Sequence, residues 1–234
     1  MTHTLPRKIV SEFLGTGFLV AAVVGSGIMG ERLAGGNVAI ALLANTIATG
    51  AALFALILTL GPISGGHFNP AVTFVDAMER GVSWMVAACY IPAQCAGGIC
   101  GAVAAHLMFG LPAISVSTHA RNGSAQAFSE FVATFGLICV IWGCARQRSG
   151  MVAFAVAAYI TAAYWFTSST SFANPAVTIA RSLSDTFTGI RPVDVPVFVA
   201  AQFVGAIAAT FLFRWLVPGL NTRAENILIL DKSR

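Results

Sequence analysis

The sequence predicts an all-α membrane protein of six transmembrane helices and two re-entrant half-helices, arranged as inverted three-span repeats. Three observations predict it. The 234 residues are 57% hydrophobic and only 9% charged, with mean hydropathy +0.81. A soluble domain carries about a quarter charged residues to solvate its surface, so lipid is the main solvent here. The apolar residues gather into six long runs, and landmarks of the first half recur in order in the second.

A bilayer core of about 30 Å takes about 20 helical residues at 1.5 Å rise each. Spans are placed at 9–30, 38–60, 82–108, 126–145, 149–167 and 195–217. Helices are preferred to strands because the runs are long, rich in Ala, Leu and Gly, and lack two-residue alternation. The first run exceeds a signal-peptide core and carries Glu12, so it is expected to be a retained span. Two connections, 61–81 and 168–194, stay apolar while carrying Gly, Pro and Asn, and are expected to re-enter the membrane.

Charge placement assigns the sides. Arg7, Lys8, Arg80, Arg146, Arg148, Arg214, Arg223, Lys232 and Arg234 fall on the side of the termini, against Arg32, Arg121, Arg181 and Arg191 opposite. The positive-inside rule then puts both termini in the cytoplasm. The formal net charge of +4 is scattered rather than clustered, which argues against a nucleic-acid partner. Cys89, Cys95, Cys100, Cys139 and Cys144 sit inside apolar runs and read as small hydrophobes.

The repeat fixes the architecture. Glu12-Phe13-Leu14-Gly15-Thr16 is echoed by Glu130-Phe131-Val132-Ala133-Thr134, and Gln94-Cys95-Ala96-Gly97 by Gln202-Phe203-Val204-Gly205. Between them Asn69-Pro70-Ala71-Val72-Thr73 recurs unchanged as Asn174-Pro175-Ala176-Val177-Thr178. The whole chain, 1–234, is expected to be one domain with halves at 9–108 and 126–217 and a cytoplasmic tail at 218–234. Three spans per half make the halves thread the membrane in opposite directions. Asn is a favoured N-cap and Pro a favoured first helical residue, so each motif starts a half-helix, one from each face. Re-entrant backbone survives at this depth only beside protein or a water-filled cavity, so the two starts should meet beside a pore.

The two Asn-Pro-Ala motifs, the run Ser64-Gly65-Gly66-His67-Phe68-Asn69-Pro70-Ala71-Val72-Thr73 and the paired glutamates resemble the aquaporin, or major intrinsic protein, family across nearly the whole chain. The resemblance implies a passive channel, not an enzyme, without cofactor or metal, assembled as a homotetramer in the plasma membrane. It places Asn69, Pro70, Ala71, Asn174, Pro175 and Ala176 at the pore centre, where half-helix dipoles repel cations. It implies that Glu12 and Glu130 brace the re-entrant loops. A proton relay is the other reading of two carboxylates inside spans. His67 has no second ligand at metal spacing and reads as pore lining, through its imidazole or its carbonyl.

In water-selective members the outer constriction holds an aromatic, a His, a small residue and an Arg after the second motif. The corresponding positions here are Thr49, Ala162, Ser171 and Val177. Small side chains there imply a wider, uncharged filter. The nearest guanidinium, Arg181, lies about one turn beyond Val177, placed either in the outer vestibule or paired with Asp185 at i+4. The pattern is more similar to bacterial channels for uncharged metalloid hydroxides such as arsenite and for glycerol-like polyols. A water-selective channel and an ion-coupled secondary transporter are the alternatives.

Overall fold

The computed structural model describes residues 3–147 and 149–217. The expected tail 218–234 lies outside them, with Arg148, Arg223, Lys232 and Arg234. Among the described residues eight α-helices follow in order: α1 Leu5–Leu33, α2 Val38–Ser64, α3 Pro70–Met78, α4 Trp84–Met108, α5 Ser124–Gln147, α6 Val152–Phe166, α7 Pro175–Arg181 and α8 Val195–Leu216. There is no strand among the described residues.

Five helices are long and apolar enough to cross a bilayer, namely α1, α2, α4, α5 and α8. The sixth, α6, has only 15 residues. A 3₁₀ turn at Ser149–Met151 precedes it. Together they reach roughly 28 Å, close to the thickness of the hydrocarbon core. The chain is therefore a multi-pass membrane protein. The expected re-entrant connections are present as α3 and α7, most of whose residues are buried.

Each half repeats one packing scheme. Helix α1 packs along α4, and α5 along α8, both among the most extensive helix pairs of the described residues. Small residues let these backbones approach. A Cβ on Gly97 would drive into the Phe13 carbonyl, and one on Gly101 into the Gly17 carbonyl. A Cβ on Gly205 would meet the Phe131 carbonyl at 2.5 Å. In lipid, where hydrophobic exclusion drives no helix association, such close van der Waals fits carry it. Outward faces stay apolar, with Phe18, Ile47, Phe154 and Phe211 exposed as lipid requires.

Helix α1 runs away from the termini side and α4 away from it again, so α3 descends towards the termini and α7 rises towards the far side. Contacts mark both ends. Arg214 at the end of α8 holds Glu79, just beyond α3, at 2.7 Å. At the far end the Asp185 carboxylate accepts from the Thr118 backbone N–H at 2.8 Å and the Thr118 hydroxyl at 3.0 Å.

Gly101→Leu would force α1 and α4 apart, an overpacking cost of about 3 kcal/mol. The folded fraction of purified protein in a denaturing-detergent titration should fall accordingly, and a titration midpoint equal to wild type would contradict this packing.

Candidate functional site

The centre of the molecule is a junction between two half-helix starts. Asn69 and Asn174 cap α3 and α7 with near-identical extended backbones, φ −154° and −158°. Each side-chain oxygen accepts the N–H two residues on, Ala71 at 2.9 Å and Ala176 at 3.0 Å. The amide nitrogens reach across the junction: Asn69 Nδ2 donates to the Ala173 carbonyl at 2.7 Å, and Asn174 Nδ2 to the Phe68 carbonyl at 2.8 Å. An amide nitrogen carries two protons, so one N–H of each Asn is left for the cavity they border. Each helix start adds roughly half a positive charge at this point.

The loops leading to the two motifs carry strain that buried carboxylates offset. Phe68 and Ala173 both adopt left-handed backbone, φ 47° and 48°, and Thr170 and Ser171 do so as well. Non-glycine residues pay about 1–2 kcal/mol each for this conformation. Glu12, fully buried, accepts from the His67 N–H at 3.0 Å, the Phe68 N–H at 2.7 Å, the Ser64 hydroxyl at 2.6 Å and Gln94 Nε2 at 2.7 Å. Glu130, equally buried, accepts from the N–H groups of Phe172 and Ala173, both at 2.9 Å, and from Gln202 Nε2 at 2.6 Å. Gln94 and Gln202 also donate to Thr73 and Thr178 at 2.8 and 2.9 Å, tying each loop to the first turn of its half-helix. Each of the four carboxylate oxygens thus accepts one loop backbone N–H.

One cavity of about 740 Å³, including its solvent-open mouths, passes the junction. Its lining follows helical stripes at i, i+4: Leu19 and Val23 of α1, Thr49, Leu53 and Ile57 of α2, Leu137 and Ile141 of α5, and Val152, Val156, Ile160 and Tyr164 of α6. The loops and half-helices add Gly66, His67, Phe68, Asn69, Val72, Ser171, Phe172, Ala173, Asn174, Val177 and Arg181.

Thr49, Ser171, Val177 and His67 all line this cavity. Ala162 does not. It is exposed on the outer face of α6, two residues from Ile160 and from Tyr164, which puts it about 200° around the helix from the lining stripe. The residue α6 presents at the far end is Tyr164, whose hydroxyl lies 3.2 Å from that of Thr49. The i, i+4 run of apolar residues from Val152 was the signal for this register, and counting from distant motifs missed it.

The expectation of an uncharged throat is also corrected. Arg181 is only 1% exposed, borders the cavity, and has its guanidinium carbon 3.3 Å from the centre of the Phe172 ring. Its Nε donates to the Thr188 carbonyl, while Nη1 has no protein partner. The alternative pairing with Asp185 does not form: Asp185 Oδ1 accepts from Thr118, and the guanidinium is held by Phe172 and the Thr188 carbonyl. The Thr118 backbone N–H, with its hydroxyl, holds the Asp185 carboxyl below its ordinary range. Arg121 lies on the same Phe172 ring at 4.9 Å and donates to the Gly189 and Ser169 carbonyls. Ser171 Oγ is a second buried polar atom beside the cavity with no protein partner.

His106, in the last turn of α4, is fully buried. Its Nδ1–H donates to the Pro112 carbonyl at 2.9 Å, and Nε2 accepts from the Ser184 hydroxyl at 2.8 Å. The carbonyl can only accept, which assigns the tautomer.

The profile of the family described as Major intrinsic protein matches residues 1–151 and 145–232. This chain belongs to the major intrinsic protein family. It is 54% identical over 213 residues to aquaglyceroporin AqpS of Rhizobium meliloti (strain 1021), covering 91% of each chain. It is 31% identical over 220 residues to aquaporin NIP1-4 of Oryza sativa subsp. japonica, covering 91% of this chain and 78% of that one. Nodulin-26 of Glycine max is 32% identical over 210 residues, covering 88% and 76%. The X-ray structure of the aquaglyceroporin from Plasmodium falciparum superposes with a TM-score of 0.72 at 21% identity, over 93% of this chain and 99% of that one, and shows the same fold. The protein is accordingly a membrane channel for water and small solutes, and not an enzyme.

Glu130→Leu would strand the Phe172 and Ala173 N–H groups at about 1–3 kcal/mol each. The thermal midpoint in mild detergent should drop, with Glu130→Gln falling less because its amide oxygen still accepts. Equal midpoints for Glu130→Leu and wild type would show that the loop does not depend on the carboxylate.

Proposed function

We propose that this channel conducts small neutral solutes, metalloid hydroxides such as arsenite and glycerol-like polyols, together with water. The observation that carries the reading is Val177: the first side chain after the second Asn-Pro-Ala is a short apolar wall on the cavity, 4% exposed, where water-selective relatives would hold a guanidinium. In this reading Thr49, Ser171 and Val177 form the filter, Arg181 sits at its outer end, and Asn69 and Asn174 with their Pro-Ala partners mark the centre. His67 lines the inner half.

The chemistry suits a hydroxylated solute. Near neutral pH arsenous acid is an uncharged polyhydroxyl molecule similar to glycerol in size and hydrogen bonding. The hydroxyls of Thr49 and Ser171 and the free Nη1 of Arg181 can exchange hydrogen bonds with it, while Val177, Leu53 and Val156 offer apolar contact. Mixed lining of this kind replaces hydration without retaining the solute. The 54% identity to a protein named an aquaglyceroporin supports the polyol part of the reading. The distribution of Lys and Arg supports cytoplasmic termini, and the 54% identity to a Rhizobium meliloti protein supports a bacterial inner membrane. Assembly as a homotetramer with one pore per subunit follows the family.

Reconstituted in liposomes, the protein should give swelling with glycerol, urea and arsenite that no imposed ion gradient alters. Flux that depends on such a gradient would make it a coupled transporter, and water flux alone would make it a water-selective channel. Val177→Arg should lower the glycerol-to-water and arsenite-to-water permeability ratios about tenfold, roughly 1.4 kcal/mol of added barrier. Unchanged ratios in well-inserted protein would remove Val177 from the filter.

A further inference from the structure

The two halves match at a constant offset of 105 residues around the motifs, and that offset pairs groups of opposite charge. Asn69 corresponds to Asn174, His67 to Phe172 and Asp76 to Arg181. Asp76 and Arg181 each sit seven residues beyond their Asn, buried to 5% and 1% exposure. Each is held by the ring two residues before that Asn: His67 Nε2 lies 3.5 Å from Asp76 Oδ2, and Phe172 lies 3.3 Å under the Arg181 guanidinium. Both rings border the cavity. Seven residues along each half-helix from a shared centre separates the two charges by about 20 Å along the pore.

We propose that Asp76 and Arg181 are specificity-determining residues of opposite sign, Arg181 barring cations at the far end of the pore and Asp76, through His67, barring anions at the termini end. The proposal rests on the reading of the central cavity as the solute path.

A pore whose centre carries two helix starts and whose far end carries Arg181 and Arg121 repels cations but attracts anions. A negative group close to the lumen opposes that attraction and adds to the dehydration cost that an apolar lining imposes on anions. Glu12 and Glu130 spend their charge on loop N–H groups, and Glu79 is paired with Arg214. Asp76 is the remaining buried carboxylate on a half-helix; its ion-pair partner is an imidazole, and the Glu79 carboxylate, itself held by Arg214, stands nearby. That imidazole need not carry a charge. Gln94 donates to the Thr73 hydroxyl at 2.8 Å, and with the hydroxyl proton directed to His67 Nδ1, 3.1 Å away, the imidazole is neutral and turns its Nε2 proton to Asp76. In the other half Thr178 turns its hydroxyl onto the Asn174 carbonyl instead, since Phe172 offers no acceptor. The neutral His67 passes the field of the carboxylate to the lumen. The unpartnered Nη1 of Arg181 is the corresponding group at the far end.

The test measures nitrate, potassium and glycerol flux in liposomes containing the full chain. Wild type should pass glycerol while excluding both ions. Asp76→Asn should raise the nitrate-to-glycerol ratio about tenfold without raising the potassium ratio, and Arg181→Gln should do the reverse. Asp76→Glu and Arg181→Lys, which keep the charges, should stay close to wild type in both ratios. Where Asp76→Asn inserts poorly, Asp76→Leu replaces it with the same readout. A wild type that readily passes nitrate, or a glycerol-conducting Asp76 variant as tight to nitrate as wild type, overturns the proposal. Absence of glycerol flux in wild type would instead overturn the underlying reading of the pore.

Discussion

Everything in this molecule depends on satisfying backbone N–H groups where no lipid can do so. A chain that turns back at mid-membrane exposes peptide groups that cost several kcal/mol each when unpaired. Glu12 and Glu130 meet that demand from inside the neighbouring helices, and their own burial is tolerable because the loop donors satisfy them in return. The left-handed residues Phe68 and Ala173 are held by the same bonds. Loop, carboxylate and half-helix are therefore one unit, built twice, and the two units are joined by the reciprocal Asn69 and Asn174 bonds.

The symmetry of these units is a property of the scaffold, and the function lies in its departures. Backbone-holding residues are repeated almost unchanged: Glu12 and Glu130, Gln94 and Gln202, Thr73 and Thr178. Residues that face the cavity differ, Gly66 against Ser171, His67 against Phe172 and Phe68 against Ala173. A loop brace must be the same in both halves because the backbone problem is the same. The two mouths of a pore face different solutions, and no such constraint binds their side chains.

Much of this was legible in the residues. Composition demanded lipid, the span count demanded inverted halves, and the identical Asn-Pro-Ala segments demanded two half-helices meeting at a pore, since each signal is local and repeats. The position of α6 was legible as well, although its pore-facing register was misread: Ala162 lies on the lipid side, and Tyr164 takes the place assigned to it. A helix contributes one stripe in 3.6 residues, so an error of two positions exchanges lumen for lipid. The stripe Val152, Val156, Ile160 and Tyr164 carried the answer in periodicity alone.

Sequence by itself determined the membrane class, the repeat and the half-helices, because those follow from hydrophobic length and helix capping. Tertiary structure alone decided what each remaining polar group faces. Arg181 and Asp185 stand at helical ion-pair spacing, yet Thr118 from a distant loop claims the carboxylate, and the ring of Phe172 holds the guanidinium beside the pore. Spacing along one chain states which groups could meet. Competition from segments that are remote in sequence settles which of them do, and that competition exists only once the two halves have closed around the cavity.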